Sequence, residues 1–239
     1  MANANGPNAN GLCDGAGPDA RSATRIDPLG YVTPPSRPIE IRGTVVTKLP
    51  IERHGREVVL DAYCYQGEAE HEEVLVLVHR SVLANETTVP VVRIHSGCVT
   101  GDVFGSLRCD CYRQLQMALD TMCAAPLGAI LYLPYQEGRG IGLYQKMLAY
   151  SCQDRGADTI EANLAIGAPV DAREYDFAAR ILNDLGLTSL NLLTGNPLKK
   201  DALVRNGIGV IQCTPLRSKP NPFNERYIET KRTKMSHDL

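Results

Sequence analysis

The stretch GAILYLPYQEGRGIGL, residues 128–143, contains a change of period that decides the fold. Its first six residues are a continuous apolar run of strand length, as expected of a strand buried on both faces. PYQEGRG then breaks the run with turn chemistry, and a helical pattern follows over about 141–155. The same rhythm continues outward. Before it lies a helix over about 110–124, DCYRQLQMALDTMCA. After it come AREYDFAARILNDL (172–185) as a helix, SLNLLT (189–194) as a strand, a helix from Pro197 and a last strand near 208–213. Upstream, the β-rich runs 40–47, 57–65, 74–80 and 89–95 are separated by the turn segments RHGRE and LANET. This pattern implies an α/β (α+β) fold, a mixed β-sheet with flanking helices in a single compact domain over 39–215, with the functional loops at the strand ends. Residues 1–38, rich in Ala, Asn, Gly, Pro and Asp without periodicity, read as a disordered extension, and 216–239 as a polar, Pro-rich arm or tail.

Composition removes several classes of function. With 239 residues, 44% of them hydrophobic and 22% charged, the chain is globular in character. A net charge of −2 gives no reason to expect nucleic acid or an anionic membrane as partner. The longest apolar runs, VLVLV (74–78) and AILYL (129–133), are too short to cross a bilayer. The first residues lack the basic head and apolar core of a secretory signal, so a cytoplasmic protein is expected. Of eight cysteines, Cys13, Cys64, Cys123, Cys152 and Cys213 stand singly; in a reducing compartment they are simplest as small apolar side chains.

The other three sit together in CVTGDVFGSLRCDC, residues 98–111. Structural zinc takes four protein ligands, whereas catalytic zinc commonly takes three and keeps a position for water, whose pKa it lowers. Cys98, Cys109 and Cys111 provide three. A four-thiolate site completed by Cys123 or Cys152, or three buried thiols, remains the alternative on spacing alone. His95 either adds a ligand or ends a strand, and the second is the simpler reading.

Three further segments are suited to phosphate. In QEGRGIGL (136–143), Gly138, Gly140 and Gly142 leave the backbone free to approach an anion at a helix start, and Arg139 adds a planar donor fork. In LLTGNPLKK (192–200), Asn196 caps a helix with Pro197 at its first position, so Thr194 and Lys199 both lie near that helix start. In VDARE (170–174), Asp171 and Glu174 have the spacing of a capping box; alternatively Asp171 works as a proton acceptor with Arg173 beside it. Each segment alone is equally explained as an ordinary turn or cap.

Taken together, RIHSGCVTGDVFGSLRCDC, QEGRGIGL, AYSCQD, DTIEAN, DAREYDF, LLTGNPLK and NPFNERYIETKRTKM resemble GTP cyclohydrolase II, the enzyme family that opens riboflavin synthesis, over roughly residues 40–237. The resemblance implies Cys98, Cys109 and Cys111 as ligands of one Zn²⁺. It implies Arg93, Ile94, His95, Ser96, Gln114, Glu137, Gly138, Arg139, Thr159, Thr194 and Lys199 as GTP-binding positions. It further implies Asp171 as proton acceptor, Arg173 as a nucleophile toward the α-phosphate, Tyr150 in ring opening, Mg²⁺ on the triphosphate and a homodimer. The implied reaction hydrolyses the imidazole ring of GTP, through hydroxide delivered by zinc, with loss of formate and pyrophosphate. A guanidinium has no free lone pair, so charge stabilisation suits Arg173 better than nucleophilic attack.

The sequence departs from the family pattern at Gly97, Tyr112, Tyr135, Leu148 and Gly195. Arginines are usual at two of these positions, 135 and 148, so two cations near the nucleotide are expected to be lost. Two rival readings remain: a paralogue that stops at a formamidopyrimidine nucleotide or serves a specialised pathway, and a zinc-stabilised purine-binding module without activity.

Overall fold

The computed structural model describes residues 40–69, 71–235 and 238. The extension expected over 1–38 lies outside the described residues. Seven strands form one sheet: β1 (Gly43–Arg53), β2 (Arg56–Gln66), β3 (Glu73–Arg80), β4 (Val91–Ser96), β5 (Leu127–Leu133), β6 (Ser189–Leu192) and β7 (Gly209–Cys213). Their spatial order is β1-β2-β3-β5-β4-β6-β7. The half made of β1, β2, β3 and β5 is antiparallel, whereas β5-β4-β6-β7 is parallel. The mixed sheet expected from the switch of rhythm is therefore observed.

The helices are α1 (Val99–Asp102), α2 (Cys111–Ala124), α3 (Gly142–Asp154), α4 (Thr159–Ala165), α5 (Asp176–Asp184), α6 (Pro197–Arg205) and α7 (Glu225–Lys234). A 3₁₀ segment, Pro134–Arg139, links β5 to α3. β5 is central, and its alternation supplies both sides of the sheet. Ala129, Leu131 and Leu133 pack with Phe177, Ile181 and Leu182 of α5 and Leu203 of α6, whereas Ile130 packs with Ala118 and Met122 of α2. Burial on both faces explains the unbroken apolar run.

β4 lies between β5 and β6, so the chain leaves its C-terminal end toward one neighbour and returns later on the other side. In open α/β sheets such a reversal opens a crevice beyond the strand ends. Ser96 ends β4, Pro134–Arg139 follows β5, and Thr194 follows β6. Three of the segments singled out in the sequence thus meet at one place.

Two local expectations are corrected. The helix expected over 172–185 begins only at Asp176, with Tyr175 at its cap and no side-chain cap bond. Asp171 is instead engaged with Arg173, whose main-chain N–H and guanidinium both donate to it. The capping box occurs elsewhere, at α4: Asp158 accepts from Ile160 and Glu161, and the Glu161 carboxylate accepts from the Asp158 N–H. In α6 the reading holds, with Asn196 accepting from the Leu198 N–H at 3.0 Å and Pro197 at the first position. Because Leu131 is fully buried at the centre of this sheet, Leu131→Ala is expected to destabilise the chain by about 2–5 kcal/mol, measured as a fall in the urea midpoint.

Candidate active site

The metal loop grows directly out of β4. Cys98 follows the strand, α1 turns the chain, and Cys109 and Cys111 flank the start of α2. The three Sγ atoms lie within 4.8 Å of one another, and among the described residues no other group of His, Cys, Asp or Glu converges in this way. Neither Cys123 nor Cys152 joins them. Cys123, near the end of α2, packs toward the sheet, and Cys152 of α3 packs against α4. His95 faces away, its Nε2 3.2 Å from Asp102 and its ring stacked on Tyr132. The bland reading of His95 as a ligand candidate is therefore the better one.

The cradle is shaped by an absence of side chain. A Cβ on Gly101 would lie 2.8 Å from Cys109 Sγ and 3.1 Å from Cys98 Sγ, so only glycine lets α1 pass beneath the sulfurs. The loop is tied from behind by Asp102, which accepts from the Cys98 N–H at 2.9 Å and from Tyr132 Oη at 3.1 Å. Lys146 Nζ donates to Cys98 Sγ at 3.1 Å, to Thr100 at 2.8 Å and to Glu137 at 2.6 Å.

The sulfurs compete for one negative charge. Hydrogen bonds from Cys109 and Cys111, with Lys146 adding to them, hold Cys98 far below the ordinary thiol range. At Cys109 the hydrogen bond of Cys111 works downward, but that of Cys98 and burial prevail and raise it to about 11. Cys111 is raised well above its ordinary value by Cys109, by Cys98 and by burial. Three convergent soft donors beside a single lysine fit a divalent, thiophilic cation, which would let all three ionise together.

Two cavities flank this loop. The first, about 670 Å³ including its open mouth, is lined by the three cysteines, Arg108, Glu137, Arg139, Lys146, Tyr150, Thr159 and Arg173. Tyr150 carries the Arg108 guanidinium 4.8 Å from its ring centre and Lys146 Nζ at 5.6 Å; burial, ahead of any charge effect, raises its pKa. Glu137 accepts from the Val99 N–H at 2.6 Å as well as from Lys146, bracing the metal loop. The QEGRG turn is arranged to present Arg139. Gly138, Arg139 and Gly140 are successive left-handed residues with φ of 62°, 66° and 87°, unusual for the arginine. A Cβ on Gly140 would meet the Ala172 carbonyl at 3.0 Å, and the Ala172 N–H donates to the Arg139 carbonyl at 2.9 Å. Both terminal nitrogens of Arg139 are buried without a partner among the described residues. Buried, unpaired donors of this kind point to a missing acceptor.

The second cavity, about 560 Å³, is lined by Arg93, Ser96, Gln114, Arg173, Thr194 and Lys199, among others. Arg93 donates to the Leu193 carbonyl and to Gln114, each at 2.7 Å. Lys199 Nζ donates to the Ile94 carbonyl at 2.7 Å. That carbonyl is the contribution of Ile94, whose side chain belongs to the core. Burial, then the charges of Arg93 and Arg173, push Lys199 well below its ordinary value. Arg173 lines both cavities, with Asp171 buried behind it. The Asp171–Arg173 bond offsets the cost of burial and leaves the carboxylate below its usual range.

Sequence reasoning missed Lys146 and Tyr175. Lys146 lies four residues before Tyr150 on α3, a spacing that puts both on one helix face. The buried Tyr175 ring lies 5.3 Å from Lys199 Nζ and 6.0 Å from the Arg173 guanidinium carbon. Of the five departures from the family pattern, only Gly97 and Gly195 line a cavity; Tyr112, Tyr135 and Leu148 line neither. Tyr135 turns toward the core, its ring edge-on to His71 at 6.2 Å. Neither position 135 nor position 148, where the family usually has arginine, contributes to the lining of these two cavities.

A three-thiol cradle beside a cation-lined crevice at the carboxyl ends of parallel strands defines a class: an α/β enzyme whose site could hold a metal ion and suits a phosphorylated ligand. The model of the GTP cyclohydrolase II family matches residues 42–215, and the chain belongs to that family. It is 44% identical over 215 residues to the GTP cyclohydrolase-2 of Streptomyces coelicolor, spanning 90% of this chain and 93% of that one. It is 45% identical over 192 residues to a probable bifunctional riboflavin biosynthesis protein, RIBA 2, of rice. It is 44% identical over 189 residues to the riboflavin biosynthesis protein RibBA of Rhodococcus erythropolis. Of the last two it spans only 34% and 44% of the length.

Gly101→Ala tests the cradle. The added methyl would sit where the sulfurs converge, so metal content after dialysis against limiting zinc should fall severalfold, while the circular dichroism of the fold is retained.

Proposed function

We propose that this chain hydrolyses GTP, opening the imidazole ring with release of formate and removing pyrophosphate. The product is 2,5-diamino-6-(5-phosphoribosylamino)pyrimidin-4(3H)-one. The observation that carries this reading is the convergence of Cys98, Cys109 and Cys111 on Gly101, in the wall of a cavity that Arg108, Arg139, Lys146, Arg173 and Tyr150 also line. These three thiolates would hold Zn²⁺, which when bound would supply a Lewis acid there and make water a reagent at neutral pH.

The chain's own side chains do the rest. Arg139, with two free donors, and Lys199 and Arg93 in the adjoining cavity bind phosphate oxygens, with Mg²⁺ on the triphosphate completing the charge balance. Ser96, Gln114, Glu137, Thr159 and Thr194 provide polar contacts that orient the nucleotide. Tyr150, kept protonated by burial, holds a proton beside the sulfurs for the nitrogen released on ring opening. Arg173 stabilises charge at the α-phosphate. The Asp171 carboxylate keeps it firmly protonated, which argues against a nucleophilic role. Asp171 becomes available as a proton acceptor once Arg173 turns toward phosphate.

No described helix is long and apolar enough to cross a membrane, which is compatible with a cytoplasmic site of action. The assembly in this reading is a homodimer, and the exposed Val45, Val46 and Val59 of β1 and β2 offer apolar surface for it.

The purified chain, given GTP with zinc and magnesium, should yield formate and pyrophosphate. Ring opening without formate would identify instead a paralogue that stops at the formamidopyrimidine nucleotide. Cys109→Ser should lose formate release to background and still show a cooperative thermal transition. If that variant fails to fold, the metal is structural and the proposed chemistry is wrong.

A further inference from the structure

The C-terminal arm crosses the site, and its side chains close it. Beyond β7 the chain runs along the metal loop. The Arg113 guanidinium donates to the Lys219 carbonyl at 2.7 Å, and Asn221 Nδ2 donates to the Leu107 carbonyl at 3.2 Å. Asn224 is fully buried, its amide 3.5 Å from the Cys109 carbonyl. α7 then brings Tyr227 and Lys231, four residues apart and so on one face, over the crevice. Tyr227 lines both cavities and Lys231 lines the second.

Each side chain meets a group already placed in the site. The Tyr227 ring lies 5.6 Å from the guanidinium carbon of Arg139, the arginine with two buried, unpartnered nitrogens. It also lies 4.4 Å from Lys231 Nζ. Lys231 is buried and donates to Asp110 Oδ1 at 2.8 Å, between the second and third cysteines of the cradle. Asp110 Oδ2 in turn accepts from Gln114, the partner of Arg93. Four cations therefore line the second cavity, Arg93, Arg173, Lys199 and Lys231, and no carboxylate does so among the described residues. Asp110 and Asp171 answer two of them from behind. An ammonium has three donors, and the Asp110 bond uses one of Lys231's. Buried cations left in excess are relieved by a polyanion.

We propose that α7 is a wall of the nucleotide site, in which Lys231 binds the polyphosphate directly and Tyr227 positions Arg139 for the same ligand. This rests on the reading of the chain as a GTP hydrolase but extends it to residues beyond the family match, which ends at 215. Through Tyr227 the arm has a face on both cavities, and through Lys231 a second on one of them. The arm's end supports the same geometry: the Asp238 N–H donates to the Gly195 carbonyl at 2.9 Å, where a Cβ would overlap the Asp238 carbonyl.

The test compares Lys231→Met, Lys231→Arg, Tyr227→Ala and Tyr227→Phe with the native chain, all zinc-loaded. Calorimetry with inorganic tripolyphosphate and with guanosine is run beside the KM for GTP and the zinc content. Losing one charge-assisted phosphate contact should weaken tripolyphosphate binding by about 10-fold or more in Lys231→Met and raise KM in step. Guanosine binding should stay within about twofold and zinc content should be unchanged. Lys231→Arg should recover most of the loss, and Tyr227→Phe, which keeps the ring, should be less affected than Tyr227→Ala. Equal weakening of guanosine, an unchanged tripolyphosphate affinity, or loss of zinc in Lys231→Met would each overturn the proposal; the last would reduce Lys231 to a brace for Asp110. A native chain that binds tripolyphosphate yet releases no formate would refute the hydrolase reading and leave this one standing.

Discussion

Three sulfurs brought within 4.8 Å of one another are a constraint that the surrounding chain must satisfy before it can do anything else. Thiolates repel at that distance, and thiols there waste packing volume. The chain accepts the arrangement by placing Lys146 against Cys98 and by removing a side chain at Gly101. The hydrogen-bond order follows from the same need. Glu137 holds Lys146 and the Val99 N–H together, and Asp102 holds the Cys98 N–H, so charge and backbone are fixed by the same two carboxylates. Moving Glu137 would release both the loop and its counter-charge, and moving Asp102 would release the Cys98 N–H.

The sheet explains why this cradle stands beside a crevice. β4 feeds the metal loop from its carboxyl end, β5 feeds the Arg139 turn, and β6 feeds Thr194 and Lys199. Their parallel pairing makes all three ends point the same way. The antiparallel half, β1 to β3, sends no residue to either cavity; its part is to cover and extend the core. Function is concentrated in the parallel half because only there do consecutive strand ends share one edge.

What the sequence discloses follows from the range of the interactions involved. The β5 run, the α2 and α6 patterns and the Asn196–Pro197 cap are local, and each was legible residue by residue. The cysteine cluster was legible as a ligand set because Cys109 and Cys111 are adjacent in chain and in space. Asp171 was legible only as a choice, because one spacing serves two bonds, a capping box with Glu174 or a bidentate pair with Arg173, and the structure makes the second. Arg173, enclosed in the site, gains from a buried carboxylate, whereas α5 can begin at Asp176 without a side-chain cap. Tyr135 and Leu148 line neither cavity, a placement the sequence does not disclose. Proximity in sequence to QEGR and to Tyr150 does not fix the face on which a side chain lies. Lys146, Tyr175 and Lys231 could not be assigned without the fold, because their partners are separated from them by up to 121 residues.

The cations also bear on how the site works. Lys199 and Arg93 are both buried and both lowered, by burial first and then, for Lys199, by neighbouring cations. Lys231, by contrast, is buried yet raised, because Tyr227 and Asp110 outweigh its desolvation. The cluster is therefore graded. Charge is secured at the α7 wall and beside Asp171, and is under strain at Lys199, in the interior. An anion entering the second cavity would relieve Lys199, whose Nζ stands at the Ile94 carbonyl near the end of β4 and Ser96, a residue that lines both cavities. In the proposed reading, a polyphosphate held there would leave the remainder of its nucleotide in the direction of the first cavity, where the three sulfurs and Tyr150 are, so the excess positive charge would orient the substrate as well as hold it.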